Sequence, residues 1–210
     1  SDAIMARVYG HETLEVISDA SEVPVINGLS DKYHPCQILA DLMTIKEVYG
    51  TFDNVKVAWS GDGNNVCNSL IVGCVTLGVP IAVATPTDYR PHRDVLDWVQ
   101  KGSQSSKLEL LTDPRKAIEQ ANVIYTDTFV SMGQESESEE RLKIFKPYQI
   151  NTQLLEYAKK DPIIMHCLPA HRGTEITSEV LDSNRSVIFK QAENRLHIQK
   201  AILLNILEKT

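Results

Sequence analysis

The 210-residue sequence has no apolar run near the ~18 residues that would cross a bilayer, and its first residues lack the basic and apolar regions of a secretion signal. It also lacks a basic block: 21 Lys and Arg stand scattered against 28 Asp and Glu, for a net charge of −7. That is not the electrostatic footprint of a nucleic-acid binder, so small-molecule substrates are the expected partners. Four cysteines, Cys36, Cys67, Cys74 and Cys167, lie far apart, and no CxxC pair exists to nucleate a zinc site. The expectation is a soluble, cytoplasmic chain with reduced thiols, no disulfide framework, no metal and no cofactor. No internal repeat and no low-complexity linker occurs.

What is present alternates. Short apolar runs read as strands at Ile4–Tyr9, Val23–Ile26, Val55–Ser60, Ile81–Ala84, Lys107–Leu111, Val123–Asp127 and Ile163–Cys167. Between them, segments of helical period fall at His11–Ala20, Pro35–Tyr49, Asn65–Leu77, Arg93–Lys101, Pro114–Gln120 and Asn151–Lys159, with a last helix at Glu193–Leu207. This order predicts an α/β fold built on a doubly wound, Rossmann-like parallel sheet. A boundary is expected at Gly50–Asn54. Residues 51–192 then hold five strands, enough for a complete doubly wound domain, whereas residues 1–50 hold two, too few for a stable open sheet. The first block therefore reads as the C-terminal remnant of a partial α/β domain, and residues 193–210 as a helix packing back toward it. Ser1 in place of Met is consistent with a processed or truncated chain.

In open α/β sheets ligands sit beyond the carboxyl ends of the strands. Gly61-Asp62-Gly63-Asn64-Asn65 is a glycine-containing turn with an Asn N-cap, and Val66 stands where a GxGxxG fingerprint needs its third glycine. Asp127 at a strand tip suits an amine, and Ser131 with Gln134 fits a capping box. His34 and Gln37 flank Pro35 at a helix start, where anions are favoured. Arg7 in an apolar strand needs an acidic partner or a ligand anion. Glu135–Glu140 (ESESEE) is most simply a solvated acidic stretch, and His171 and Arg172 surface residues after the last strand. His166 and Cys167, as neighbours on a strand, should point to opposite faces, which disfavours a shared metal.

Six stretches, in order along nearly the whole chain, resemble the transcarbamoylases: DAIMARVY (Asp2–Tyr9), HPCQILAD (His34–Asp41), GDGNN (Gly61–Asn65), DTFVSMGQE (Asp127–Glu135), MHCLPAHRG (Met165–Gly173) and AENRLHIQKA (Ala192–Ala201). The HCLP and SMG elements resemble the ornithine-using branch rather than the aspartate-using one. The resemblance implies transfer of the carbamoyl group of carbamoyl phosphate to the δ-amino group of L-ornithine, giving citrulline and phosphate, by a homotrimer. It implies carbamoyl phosphate ligands at Arg7, His34, Gln37, Cys167, Leu168 and Arg195, and ornithine ligands at Asn65, Asp127, Ser131 and Met132. Cys167, Asp127 and His34 are the implied catalytic set, with Cys167 as a thiolate proton acceptor and a cis bond between Leu168 and Pro169.

Two departures stand out. Phe129 occupies the place of a family Trp, and the family's Ser-Thr-Arg-Thr phosphate loop is not among these residues. The resulting expectation is a chain that lacks most of the carbamoyl phosphate domain and is inactive, or nearly so, on its own. Two other classes compete: a nucleotide-binding oxidoreductase domain, suggested by the doubly wound pattern, and a non-catalytic remnant or regulatory partner.

Overall fold

The computed structural model describes residues 1–131 and 134–208. The chain begins with β1 (Ile4–Arg7), α1 (His11–Ala20), β2 (Val25–Leu29) and α2 (Pro35–Tyr49). β1 and β2 pair in parallel as a two-stranded sheet, Ile4 beside Val25. α2 starts on Pro35, whose fixed φ suits a first turn, and stops at Gly50, which takes the left-handed conformation (φ 71) that ends many helices. Two strands alone are marginal. α2 anchors them by burying Ile38, Leu42 and Ile45 in the core shared with the second sheet.

That second sheet has five strands, β3 (Val57–Ser60), β4 (Ile81–Ala84), β5 (Leu108–Leu111), β6 (Val123–Thr126) and β7 (Ile163–His166), all parallel in the order β5-β4-β3-β6-β7. β3, β4, β6 and β7 are buried at every position, as strands covered on both faces must be. Alternation splits their side chains. Val57, Trp59, Val123, Tyr125, Ile163 and Met165 face α2 and the helix after β3, while Ala58, Ile124 and Ile164 face the opposite layer. The helices are α3 (Asn65–Thr76), α4 (Arg93–Lys101), α5 (Pro114–Ile118), α6 (Ser138–Phe145), α7 (Thr152–Leu155), α8 (Ser178–Leu181) and α9 (Ile188–Leu207). Gly73 lets α3 lie against α2, since a Cβ there would stand 2.9 Å from both Ile38 Cγ2 and Leu42 Cδ1.

The predicted α/β class and parallel sheet are present. The helix expected at Asn151–Lys159 is only the single turn α7, continued by bonds three residues apart such as Tyr157 N–H to Leu154 O. α6 was hidden in the acidic stretch: Glu139 and Glu140 favour its first turn, and Arg141 and Phe145, four residues apart, are its buried face. α9 begins at Ile188 rather than Glu193, because its buried face carries Gln191 and Asn194 as well as Ile188, and polar residues there mask the apolar period. No described helix is long and apolar enough to cross a membrane.

α2 is joined to the five-stranded sheet and to α9 through a buried polar cluster on Asp41. Its Oδ2 accepts from Tyr125 OH (2.8 Å), and its Oδ1 from Gln37 Nε2 and Gln191 Nε2 (both 2.8 Å). Gln191 Oε1 in turn accepts from the His166 N–H at 3.0 Å. The cluster thus ties α2, α9, β6 and β7 to one carboxyl group. Its full burial pushes the Asp41 pKa up to about 7, outweighing the three donors that favour the charged form.

This shift has a definite sign. An unfolded Asp titrates near ~3.9, so between there and pH 7 the folded chain keeps a proton that the unfolded chain has lost, and stability falls as pH rises. We predict that Asp41→Asn flattens the urea-unfolding stability profile between pH 4 and 7 by up to about 1.4 kcal/mol per pH unit. An unchanged slope would mean that Asp41 is ionised throughout.

Candidate functional site

The strand order turns around between β3 and β6, and the crevice beyond their carboxyl ends is where an open α/β sheet takes its ligand. The turn after β3 is shaped by its glycines. Gly61 has φ 144, open to glycine alone, and a Cβ on Gly63 would stand 2.3 Å from the backbone nitrogen of Pro91. Asn64 caps α3, its Oδ1 accepting from Val66 N–H (3.1 Å) and Cys67 N–H (3.0 Å), which leaves its Nδ2 to donate to Asp127 Oδ2 at 2.8 Å. Asn65 follows in the first turn, bonded through Nδ2 to Ser30 O at 2.6 Å.

A cavity of about 1100 Å³ opens here, and Arg7, His34, Gln37 and Arg195 line one side of it. Asn65, Asp127, Ser131, Cys167 and Leu168 line the rest. Every described residue named as an implied ligand is therefore on one wall or another. Met132 lies outside the described residues.

The basic side is preassembled. Arg195 reaches back from α9 to donate to Gln37 Oε1 at 2.5 Å, and with the Gln199 amide oriented to accept, the same guanidinium also bonds Gln199 at 3.0 and 3.1 Å. His34 donates its backbone N–H to Ser69 Oγ (2.8 Å), and its Nδ1 is buried without a partner among the described residues. Burial first, then the charges of Arg195 and Arg7, lower the His34 pKa to about 3. At neutral pH it is a neutral imidazole. Arg7 corrects an expectation: β1 is only half covered, its exposure alternates, and Arg7 ends it on an exposed position, so no buried charge demanded a partner.

The acidic side is a chain of hydrogen bonds. Asp127 Oδ1 accepts from Thr128 N–H (2.8 Å) and from Cys167 Sγ (2.9 Å). Burial, and then the charge and hydrogen bond of Asp127, push the Cys167 thiol well above its usual pKa. Cys167 is therefore a protonated thiol donating to a carboxylate, not the expected thiolate. The Leu168–Pro169 bond is cis and Leu168 has φ 59. Ser131 and Gln134 form half of the expected box: Ser131 N–H donates to Gln134 Oε1 at 3.0 Å, whereas Gln134 N–H goes to the Ser131 backbone carbonyl at 3.1 Å rather than to its hydroxyl. Phe129 is not among the residues that line the cavity. It is buried and stacked on Phe145, ring centres 5.1 Å apart.

Sequence reasoning missed Asp62 and Arg141, and it read the asparagine of this turn only as a cap, without the Asn64 bond to Asp127. Asp62 lines the cavity and pairs with Arg141, which also donates Nε–H to Phe129 O at 2.7 Å and lies over the rings of Tyr89 and Phe145. Burial raises the Asp62 pKa to about 6 although Arg141 opposes it. Only the acidic residue after β3 hinted at this pair. The expectation that His166 and Cys167 diverge also fails, because β7 ends at His166, and ligand atoms of Asp127, His166 and Cys167 lie within 4.8 Å of one another. Both His166 nitrogens are nevertheless engaged, Nδ1 by Leu168 N–H (2.9 Å) and Nε2 by Glu175 (3.2 Å).

Comparison with known proteins gives a consistent answer. Residues 53–206 match the family described as aspartate/ornithine carbamoyltransferase, Asp/Orn binding domain, and residues 1–47 match its carbamoyl-P binding domain. The chain is 55% identical to an ornithine carbamoyltransferase of Pyrococcus horikoshii, over 98% of this chain and 66% of that protein. It is 50% identical to that of Bacillus subtilis, over 99% of this chain and 66% of that protein. The solved Pyrococcus furiosus ornithine carbamoyltransferase superposes with a TM-score of 0.94 at 53% identity, over 100% of this chain and 67% of that one. The chain thus spans about two thirds of the length of these relatives. Because the carbamoyl-P binding domain is matched, the expectations of a missing first domain and of an inactive chain find no support.

If Asp127 holds the thiol proton in place, Asp127→Asn should lower the Cys167 pKa and speed its alkylation by iodoacetamide at pH 9, about tenfold per pKa unit. Mass spectrometry of the peptide carrying Cys167 reads this directly, and an unchanged rate would contradict the hydrogen bond.

Proposed function

The chain belongs to the aspartate/ornithine carbamoyltransferase family, and we propose that its cleft transfers the carbamoyl group of carbamoyl phosphate to the δ-amino group of L-ornithine, giving citrulline and phosphate. What supports this most is a single arrangement: one cavity has arginines with a neutral imidazole on one side and a carboxylate with a thiol on the other. An anionic acyl phosphate and a cationic amine want those two environments side by side.

In this reading residues 1–50 belong to the carbamoyl phosphate domain, residues 51–192 to the ornithine domain, and residues 193–210 return Arg195 to the first. Arg7, His34, Gln37 and Arg195 hold carbamoyl phosphate. The guanidinium groups balance the phosphate charge that grows as the C–O bond breaks, and His34, neutral, donates a hydrogen bond without adding charge. Cys167 and Leu168 close that subsite.

Asn65, Asp127, Ser131 and Met132 hold ornithine. The substrate brings its own nucleophile, so the protein's task is alignment and charge stabilisation rather than covalent catalysis. Ornithine must lose a proton from its δ-ammonium before the amine nitrogen attacks the carbamoyl carbon, and a second after the bond forms. Asp127, already the acceptor in the Cys167 hydrogen bond, is the group placed to take or guide that proton, with Cys167 fixing its orientation. A homotrimer is part of the same proposal, and its mass in solution tests it.

The direct test incubates the purified protein with carbamoyl phosphate and either L-ornithine or L-aspartate. Citrulline should form, carbamoyl aspartate should not, and Asp127→Asn should lower kcat/KM by about 10²-fold or more. Carbamoyl aspartate as the product would move the protein to the other branch, and an active Asp127→Asn variant would remove Asp127 from the chemistry.

A further inference from the structure

Behind the cavity wall sits an acid that the chemistry above leaves unused. Glu175, between β7 and α8, is fully buried. Its Oε1 receives the ring Nε2 of His166 at 3.2 Å and also the backbone N–H of His171, while its Oε2 has no partner among the described residues. A carboxylate this deep, with one oxygen unpaired, is costly to keep, which makes its position informative.

His166 is fully buried as well. Its Nδ1 faces the Leu168 N–H at 2.9 Å, and a backbone amide can only donate. Nδ1 is therefore the lone-pair nitrogen, and in the neutral ring the proton sits on Nε2, aimed at Glu175. The bond fixed in this way supports Leu168 at φ 59, a left-handed conformation that a leucine keeps only when its neighbours over-determine it. One oxygen of Glu175 thus braces the Leu168-Pro169-Ala170-His171 run at both ends, through His166 at the start and directly at His171. Leu168, Pro169 and His171 all line the cavity.

We propose that Glu175 is a positioning residue: by locking the His166 tautomer and the His171 amide it holds the Cys167–Leu168 backbone in register with the substrates, touching neither. This rests on the carbamoyl-transfer reading of the cavity. It also separates Glu175 from an ordinary core pair. A core pair contributes stability alone, whereas a brace sets the turnover of a protein that is still folded.

The test uses the whole chain with three readouts. Nitrogen NMR of histidine-labelled protein should show His166 protonated at Nε2 and bare at Nδ1. Glu175→Leu, assayed where circular dichroism shows it folded, should lower kcat by about 10- to 100-fold, the range for groups that orient a functional side chain, with little change in KM for ornithine. Its Leu168 amide should exchange with deuterium faster than in the unsubstituted protein. Glu175→Gln, whose amide oxygen can accept from the same two donors, should restore both kcat and amide protection. The proposal is overturned if His166 carries its proton on Nδ1, if folded Glu175→Leu turns over normally, or if Glu175→Gln is as impaired as Glu175→Leu. Should Glu175→Leu not fold, the His166 spectrum and Glu175→Gln decide. Should the unsubstituted protein make no citrulline, the carbamoyl-transfer reading fails, and the spectrum with the Leu168 exchange rates still judges the brace.

Discussion

One carboxyl group with no access to water organises the centre of this molecule. Asp41 sits where helix α2 meets the five-stranded sheet, and it collects Tyr125 from β6, Gln37 from its own helix and Gln191 from α9. A buried carboxyl group must find donors, and these donors can reach it only if α2, the five-stranded sheet and the last helix adopt one relative placement. The same contacts aim the site. Gln37 turns its oxygen toward Arg195 because its amide nitrogen is committed to Asp41, and Gln191 holds the His166 backbone because its own nitrogen is committed there too.

The cavity inherits this order. Its basic side gathers Arg7 and Arg195 around His34, which burial and those two arginines keep neutral. Its acidic side is self-satisfied, since Asp127 is held by Asn64, Thr128 and Cys167 together. The asymmetry has a physical cause. Arginines near the mouth keep part of their hydration, whereas a carboxylate enclosed beside a half-buried thiol must be hydrogen-bonded from within the protein.

Much of this was legible in the linear sequence, for reasons that particular residues make plain. Pro35 and Gly50 mark the ends of α2, Asn64 marks the start of α3, and continuous apolar runs mark strands buried on both faces. The described residues chosen as ligands line one cavity because they follow strand ends or helix starts, where an α/β fold collects its ligands. Others were not legible. Arg141 finds Asp62 from 79 residues away, and Gln191 finds Asp41 from 150. Both partners are polar residues whose local surroundings resemble solvated surface. Arg7 failed in the opposite direction, since an apolar-looking strand proved to be half covered.

The sequence by itself determined the alternation of strands and helices, the turns that end them, and the motifs by which the family can be known. These depend on backbone preferences and side-chain period, which act over a few residues. Tertiary structure alone decided the chemical state of the site: that Cys167 keeps its proton, that His34 stays neutral, that Asp41 titrates near 7. Protonation follows from desolvation and from charges brought close in space, and those neighbours come from segments that no local reading of the chain connects.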